Sequence, residues 1–521
     1  MKKSTVLLVT LLLSWSLVAA AGWWGGGGTP PVRPAAAAET VKSGEGLQAR
    51  LDRGENLELE PRTVYLIKAT LRFKVPGQVI STRGAPRLAD FAVLRLASRE
   101  CIQLVNGNGI PRVTMERVIL DGNRYQLSGP LSENDRLQAL AHFGGKGADA
   151  QTIRRCVFMD TRSWSSLKIH EGAADVLAES NIILGAGADA HGNGRELREI
   201  PFGWGDGISC AARNTRIRDN LVIDPTDAAI VLFGAPGSVV ENNVVAAISR
   251  ESLGAINMVD PLDFYAVDGD LNRTDYREVM VRHNLIDVRG ARIHIAVAMG
   301  GGPWAPRNKD TWLVGATVTG NTISGGAGGY GFVACGVENF TVADNVSTAS
   351  YSGLGDGLNQ KTPPDDPGPF LYTPASVINC TLQPEFTASK RHLLHLLRCN
   401  HGPLNAQGFR VYSYGAAEAE AIVRTAFLEM LGRAPKAKEF SHWLEWLQTT
   451  KGAADQIRRA LIMTPEFTAR HGFVPPDDLH LYRRRMWLEN LDQAQADHFS
   501  QTKTLPTARQ LYEEAIRRLG R

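Results

Sequence analysis

Cysteine is scarce in this chain, with six in 521 residues and no Cys-x-x-Cys pair. That excludes a disulfide-stapled scaffold and a zinc site of the usual ligand spacing. Neither sign of charge is in excess. Lys and Arg number 57 against 54 Asp and Glu, a formal net charge of +3, so the broad basic field of an obligate nucleic-acid binder is missing. Beyond the N-terminal segment no apolar run is long enough to span a bilayer. The 52 glycines follow no every-third period, which excludes collagen and leaves tight turns as their use. The run Gly25–Gly28 lacks the strand-to-helix frame of a phosphate loop.

The N-terminus reads as a secretory signal peptide over residues 1–21. Lys2 and Lys3 precede the apolar stretch Val6–Leu13, and Ala19-Ala20-Ala21 supplies small residues for cleavage. A flexible Gly/Pro/Ala-rich linker follows over 22–40. The expected location is secreted, periplasmic or cell-surface, with no membrane span in the mature chain. In such a compartment Cys380 and Cys399, which flank one short segment, are the candidate disulfide. Asn272, Asn339, Asn345 and Asn379 stand in glycosylation sequons. Cys101, Cys156, Cys210 and Cys335 sit in apolar strand-like contexts and read as buried small hydrophobes.

What is present is a repeat. "RRCVFMD", "AESNIIL", "IRDNLVI", "VENNVVA", "VRHNLID", "VTGNTIS" and "VADNVST" align Cys156, Asn181, Asn220, Asn243, Asn284, Asn321 and Asn345. The closest steps are 23 residues (Asn220 to Asn243), 24 (Asn321 to Asn345) and 25 (Cys156 to Asn181). Longer steps fit the same unit carrying an insertion. Each unit holds two or three short strands, which predicts a right-handed parallel β-helix over residues 41–358, its apolar side chains stacked inward. Asn at the turn tolerates left-handed backbone geometry, and its amide can hydrogen-bond along the stack.

After a proline-rich connection at 359–374 the period changes to that of helices, so 375–521 reads as an α-helical accessory domain. Glu418–Gly432, Lys438–Gln448 and Ala453–Met463 carry apolar residues three and four apart. Gly432 is a stop, and Thr464, Pro465 and Glu466 form a helix start. "QPEFTAS" echoes "TPEFTAR", and the stretch from Asp477 onward reads as charged and peripheral.

The Asn-hydrophobic frame resembles the pectate-lyase-like superfamily of right-handed β-helix proteins over residues 41–360. The resemblance implies action on a polysaccharide lying in a groove along one sheet. The segment Phe427–Gly472 resembles a domain of unknown function found in secreted multidomain proteins, and implies no chemistry. "GWGDGIS" carries a single Asp206, and the Gly-His-Gly and Arg-Ile-Lys motifs of polygalacturonase-like enzymes are missing.

Strand alternation selects the candidate site. Lys168, His170, Asn257, Arg292 and His294 are expected to face outward on neighbouring coils, with Asp206, Asp224 and Asp227 at strand starts and turns beside them. Asp224 precedes Pro225 and reads as structural. Two long insertions, Gly185–Gly205 and Asp260–Tyr276, should rim this face and supply Trp204, Phe264 and Tyr265 as sugar platforms. Trp304 and Trp312 come from a third. Candidate catalytic residues are therefore Asp206, Asp227, Lys168, His170, Arg292 and His294. Candidate substrate-binding residues are Trp204, Asn257, Phe264, Tyr265 and Trp304.

Two reactions fit this inventory. A lyase or C5-epimerase on a uronic-acid glycan would use Lys168, His170 or His294 as base, with Lys168, Arg292 or calcium stabilising the enolate. It ranks first because it employs the basic residues. A glycoside hydrolase would use Asp206 and Asp227. A non-catalytic carbohydrate-binding or cell-surface structural protein is the third reading. The partner in each is a polysaccharide, the chain is expected to be monomeric, and calcium is the one candidate cofactor.

Overall fold

The computed structural model describes residues 40–84, 87–127, 131, 133–187, 204–259, 264–304, 311–351, 353, 368–388, 414–450, 454–471 and 479–519. The signal peptide, nearly all of the first linker, Cys399 and most of the insertion before Trp204 lie outside these residues.

The chain from Thr40 winds as a right-handed parallel β-helix, each coil visiting three all-parallel sheets. Sheet I has eleven strands, from Thr40–Ser43 to Val346–Ser347. Sheet II has ten, from Leu71–Arg72 to Phe370–Tyr372. Sheet III has eleven, from Leu57–Leu59 to Thr381–Leu382. Strands of two to eight residues suffice because each pairs with the coil before and after it, so few edges remain open. Inward side chains stack in register. Leu167, Ile208, Ile230, Ile256 and Val297 form one such column, and Ile169, Cys210, Leu232, Met258 and Met299 another.

The coil corner between sheets III and I is built from the repeated Asn. Asn181 Nδ2 donates to Asn220 Oδ1 at 3.0 Å, Asn220 to Asn243 at 2.9 Å, Asn243 to Asn284 at 3.0 Å, and Asn284 to Asn321 at 2.9 Å. Asn321 continues to Asn345, and Gln383 Oε1 ends the ladder by accepting from Asn345. At the other end the Cys156 N–H donates to Asn181 Oδ1. The left-handed backbone sits one residue earlier than the sequence suggests. Ser180, Asp219, Asn242, His283, Gly320 and Asp344 have φ between 52 and 64°, and the ladder Asn follows each.

Both ends are plugged. Helix Leu47–Asp52 inserts Leu47 and Leu51 into the core at one end. Helix Pro384–Ala388 inserts Phe386 at the other, its ring 5.1 Å from that of Phe370. The coil carrying Phe370–Tyr372, Val377–Ile378 and Thr381–Leu382 lies beyond residue 358, where the sequence reading ended the solenoid. A coil of such short strands has too little period to be seen in sequence.

Residues 40–521 form one compact unit. The helices Ala416–Leu431, Ala437–Thr450, Ala454–Ile462, Pro465–His471, Leu479–Thr502 and Ala508–Leu519 share a hydrophobic cluster with the outer face of sheet I. Val157, Ile182, Leu221 and Val244 meet Ile422, Phe427, Leu491 and Tyr512 in it. The last stretch is therefore part of the core packing, not peripheral. Gly432 ends its helix at φ 62°, and the Phe467 N–H donates to Thr464 Oγ1, as the helix signals predict. With sheet I covered by helices, sheet II keeps the outward row on which the candidate residues lie.

Candidate active site on the outer face of sheet II

Strand register fixes one outward row across sheet II: Arg72, Asn106, His142, Lys168, Ser209, Val231, Asn257, Ala298, Val333 and Leu371. The row changes character along the helix axis. Its first five members are polar and its last three are buried apolar residues, packed with Ile295, Tyr330 and Trp304. The candidate site falls where the polar end gives way.

There the structure brings together Asp206, Asp227 and Lys168, with His170 further along the Lys168 strand beside His142. Asp206 opens the strand Asp206–Cys210, opposite Ser165 on the preceding coil, and is 1% exposed. The Ser209 hydroxyl donates to its carboxylate at 2.7 Å and the Ala228 N–H at 3.2 Å. Ser209 also shares a short hydrogen bond with Ser165. Asp227 immediately precedes the next strand of sheet II, Ala228–Phe233. Its N–H donates to Gly205 O at 3.1 Å, and its carbonyl accepts from Ser252 Oγ at 2.7 Å. Burial first, then the charge of Asp227, holds the Asp206 carboxyl well above the usual carboxylate range. Burial pushes Asp227 up to about 7, against a hydrogen bond from Trp164 that pulls the other way. A charge on Asp227 thus works against ionisation of Asp206.

Lys168 places its ammonium 5.0 Å from the Trp164 ring centre, and burial lowers its pKa while Glu171 and Asp206 act to raise it. His170 lies two residues on along the same strand and stacks on His142, ring centres 5.0 Å apart. Burial, followed by neighbouring cationic groups, depresses His142 to about 3 and His170 to about 4. Trp164 also packs edge-on against Phe233 at 5.8 Å, with Phe264 at the border of the same apolar cluster.

Other expected members are elsewhere. Arg292 is buried in a double hydrogen bond with Glu418 of the helical region, at 2.8 and 2.7 Å. It fastens the helices to the solenoid, its charge spent on Glu418. His294 is fully buried with Nε2 2.8 Å from Glu251. Alternation failed on this strand because Ala296 and Val297 both enter the main core while Ile295 turns outward. The same happens at Ala229 and Ile230, consecutive core residues on the strand Ala228–Phe233. Asn257 lies in the outward row, three strands from Lys168, and is buried.

Tyr265 is buried too, its hydroxyl donating to Ala211 O at 2.5 Å, so it is a packing residue and not a sugar platform. Trp304 packs with the apolar end of the row. Trp204 is partly exposed and bridges Gly187 at the neck of the insertion before Asp206. Asp224 is structural: its carboxylate accepts from Ile248 N at 2.7 Å and Ser249 N at 3.0 Å.

Asn345 is a ladder member whose Nδ2 donates to Val318 O and Gln383, so its sequon is closed in the folded chain. Asn272, Asn339 and Asn379 are exposed. Cys380 is a free thiol accepting from the Phe340 N–H at 3.3 Å, against the expected bridge, and Cys399 lies outside the described residues. The other four expected core cysteines are buried and free.

Sequence reasoning missed Trp164, Ser209 and His142. Alternation turns Ser209 outward, but nothing in the sequence ties it to Asp206. His142 lies on a coil before the Asn frame begins at Cys156, so its register with Lys168 could not be aligned. Among the described residues no group of three or more His, Cys, Asp or Glu is placed to hold a metal ion. No helix among them is long and apolar enough to cross a membrane.

The chain matches no protein-family model and no curated protein. Solved structures similar to it include the Dettilon tailspike protein, at 11% identity and TM-score 0.38, covering 64% of this chain and 64% of the tailspike. The catalytic domain of a GH87 α-1,3-glucanase in complex with tetrasaccharides gives 11% and 0.38, covering 70% of this chain and 68% of its own. The A-module of the Azotobacter vinelandii mannuronan C-5 epimerase gives 15% and 0.32, covering 61% of this chain and 94% of the module. The chain thus spans 64% of the tailspike's length. These likenesses concern the course of the backbone, and no reaction is read from them.

Proposed function

We propose that the protein is a polysaccharide-processing enzyme that hydrolyses a glycosidic bond at the Asp206–Asp227 pair. The observation that carries this reading is the placement of the buried Asp206 carboxyl beside the half-buried Asp227 carboxyl, which Trp164 adjoins, both with raised proton affinity. Glycosidic hydrolysis needs a protonated carboxyl to protonate the leaving oxygen and an ionised one as base or nucleophile. A pair that holds one proton near neutrality supplies both forms at once. Trp164, with Trp204 at the rim, offers apolar ring faces against which a sugar can stack. Arg292 and His294 drop out of the inventory, and with them two of the cations that ranked elimination first.

Elimination or C5 epimerisation on a uronic acid is the second reading, favoured by one observation. Lys168 is partly desolvated beside Asp206, which lowers its pKa toward that of a working base. A panel of neutral and acidic polysaccharides, incubated with and without calcium, separates the alternatives. New reducing ends without an unsaturated product mean hydrolysis. Ultraviolet absorbance from an unsaturated uronate means elimination, and altered uronate composition alone means epimerisation. Asp206→Asn and Asp227→Asn should each lower hydrolysis by about 10²-fold or more. Glycan binding that persists without any product, in wild type and both variants, would leave a carbohydrate-binding protein.

A further inference from the structure

The two histidines of this face form a chain whose proton positions follow from geometry. The Ala139 N–H points at His142 Nε2 at 2.8 Å. A backbone N–H can only donate, so Nε2 carries a lone pair and the neutral ring holds its proton on Nδ1. That Nδ1 lies 2.7 Å from His170 Nε2. It donates there, so His170 Nε2 is an acceptor and the His170 proton sits on Nδ1. His170 keeps partial exposure, and its Nδ1 is 3.9 Å from the Glu171 carboxylate, beyond hydrogen-bond reach.

We propose that His142 is a positioning residue that locks His170 in its neutral Nδ1–H tautomer, so that His170 presents a donor to an oxygen of the bound glycan and does not act as a base. The glycan as acceptor rests on the preceding functional reading. The lock itself does not. Protonating His142 at Nε2 would set two N–H groups against each other at Ala139, and protonating His170 at Nε2 would do the same between the rings. The charged and titratable groups about the pair are Lys168 and Glu171 on or next to the His170 strand, and Arg72 near His142. Lys168 and Arg72 add to the cost of a positive ring, and Glu171 opposes it at His170. His142 is buried and reaches no substrate, so its effect passes through His170.

The test is nitrogen NMR of protein labelled with ¹⁵N-histidine. The wild type should show His170 as Nδ1–H with an unprotonated Nε2, unchanged from neutral pH down to well below the ordinary histidine value of 6.5. His142→Asn keeps an N–H donor near the Nδ1 position and should preserve that signature. His142→Phe keeps the ring bulk without the donor and should let His170 titrate toward its ordinary value with the proton shared between both nitrogens. On a substrate found by the panel, His142→Phe should raise KM about tenfold with kcat nearly constant, as for one lost hydrogen bond made equally in ground and transition states. An Nε2–H signature at His170 in the wild type, or titration near 6.5, overturns the lock, whatever the variants do. An intact lock with no glycan bound or turned over removes the glycan as acceptor and leaves the lock standing.

Discussion

Asp206 and Asp227 sit one register step apart at the starts of successive sheet II strands, Asp206 buried and Asp227 half-buried, each with a partner of the same sign. A carboxyl whose pKa is raised in the folded state binds its proton more tightly there than in the unfolded chain. Its stabilising contribution is complete below the unfolded value near 4 and is lost as pH rises through about 7 for Asp227, and higher for Asp206. Asp206→Asn and Asp227→Asn remove that loss. The variants' melting temperatures relative to wild type should therefore be higher at about pH 8 than at about pH 5, although activity falls. A difference that does not change with pH would show that the carboxyls are not perturbed. The sequence singled out Asp206, Asp227 and Lys168, whose charges the structure sets within electrostatic reach of one another, and His170 lies further along the Lys168 strand. It could not single out Arg292 and His294 as outsiders, since their partners Glu418 and Glu251 lie on other elements.

At the scale of the element, the Asn ladder holds the corner of the coil. Each internal Asn donates to the next Asn and to a carbonyl of an earlier coil, and accepts from the preceding Asn. Asn220→Ala strips a buried acceptor from both the N–H and the side-chain amide of Asn181. With orphaned buried groups costing about 1–3 kcal/mol each, the loss should be about 3 kcal/mol or more, read as a lower urea midpoint. Asn345→Ala strips the same acceptor from the N–H and the side-chain amide of Asn321, so by the same count it should cost about as much. The residue before each ladder Asn is in the left-handed region, where a β-branched side chain is strained. Ser180→Val should cost about 1–2 kcal/mol and Ser180→Gly should be close to neutral, by the same denaturation measurement. The repeat was visible in sequence because hydrogen-bonding chemistry at one corner admits almost one residue type. The αL position before it was not, because six different contexts supply Ser, Asp, Asn, His and Gly there.

Over the whole molecule, the helices and the solenoid fold as one body. Val157, Ile182, Leu221 and Val244 point outward from sheet I and would meet water without the helices. A chain ending at Ala388 should be insoluble or associate, as size-exclusion chromatography would show; a soluble, cooperatively melting monomer would contradict the shared core. Arg292→Met leaves Glu418 buried without its main partner and should cost about 3–5 kcal/mol, much of it recovered by adding Glu418→Met. Specific activity of the folded fraction should be unchanged in the double variant, which separates an anchor from a catalytic cation.

What the sequence determined by itself is local and repetitive. The β-helix, its inward columns, the Asn corner and the helix caps at Gly432 and Thr464 each follow from residue type and spacing within one coil or one turn. The tertiary structure decided which outward residues share an environment. Alternation names a face but assumes a straight strand, and the strands of sheet II bend where Ala229–Ile230 and Ala296–Val297 both turn inward. Stacking set His142 beside His170 and Asp206 beside Asp227 from different coils, and packing of the distant helices paired Arg292 with Glu418. Proton affinity depends on such neighbours and on burial, neither of which is written along the chain.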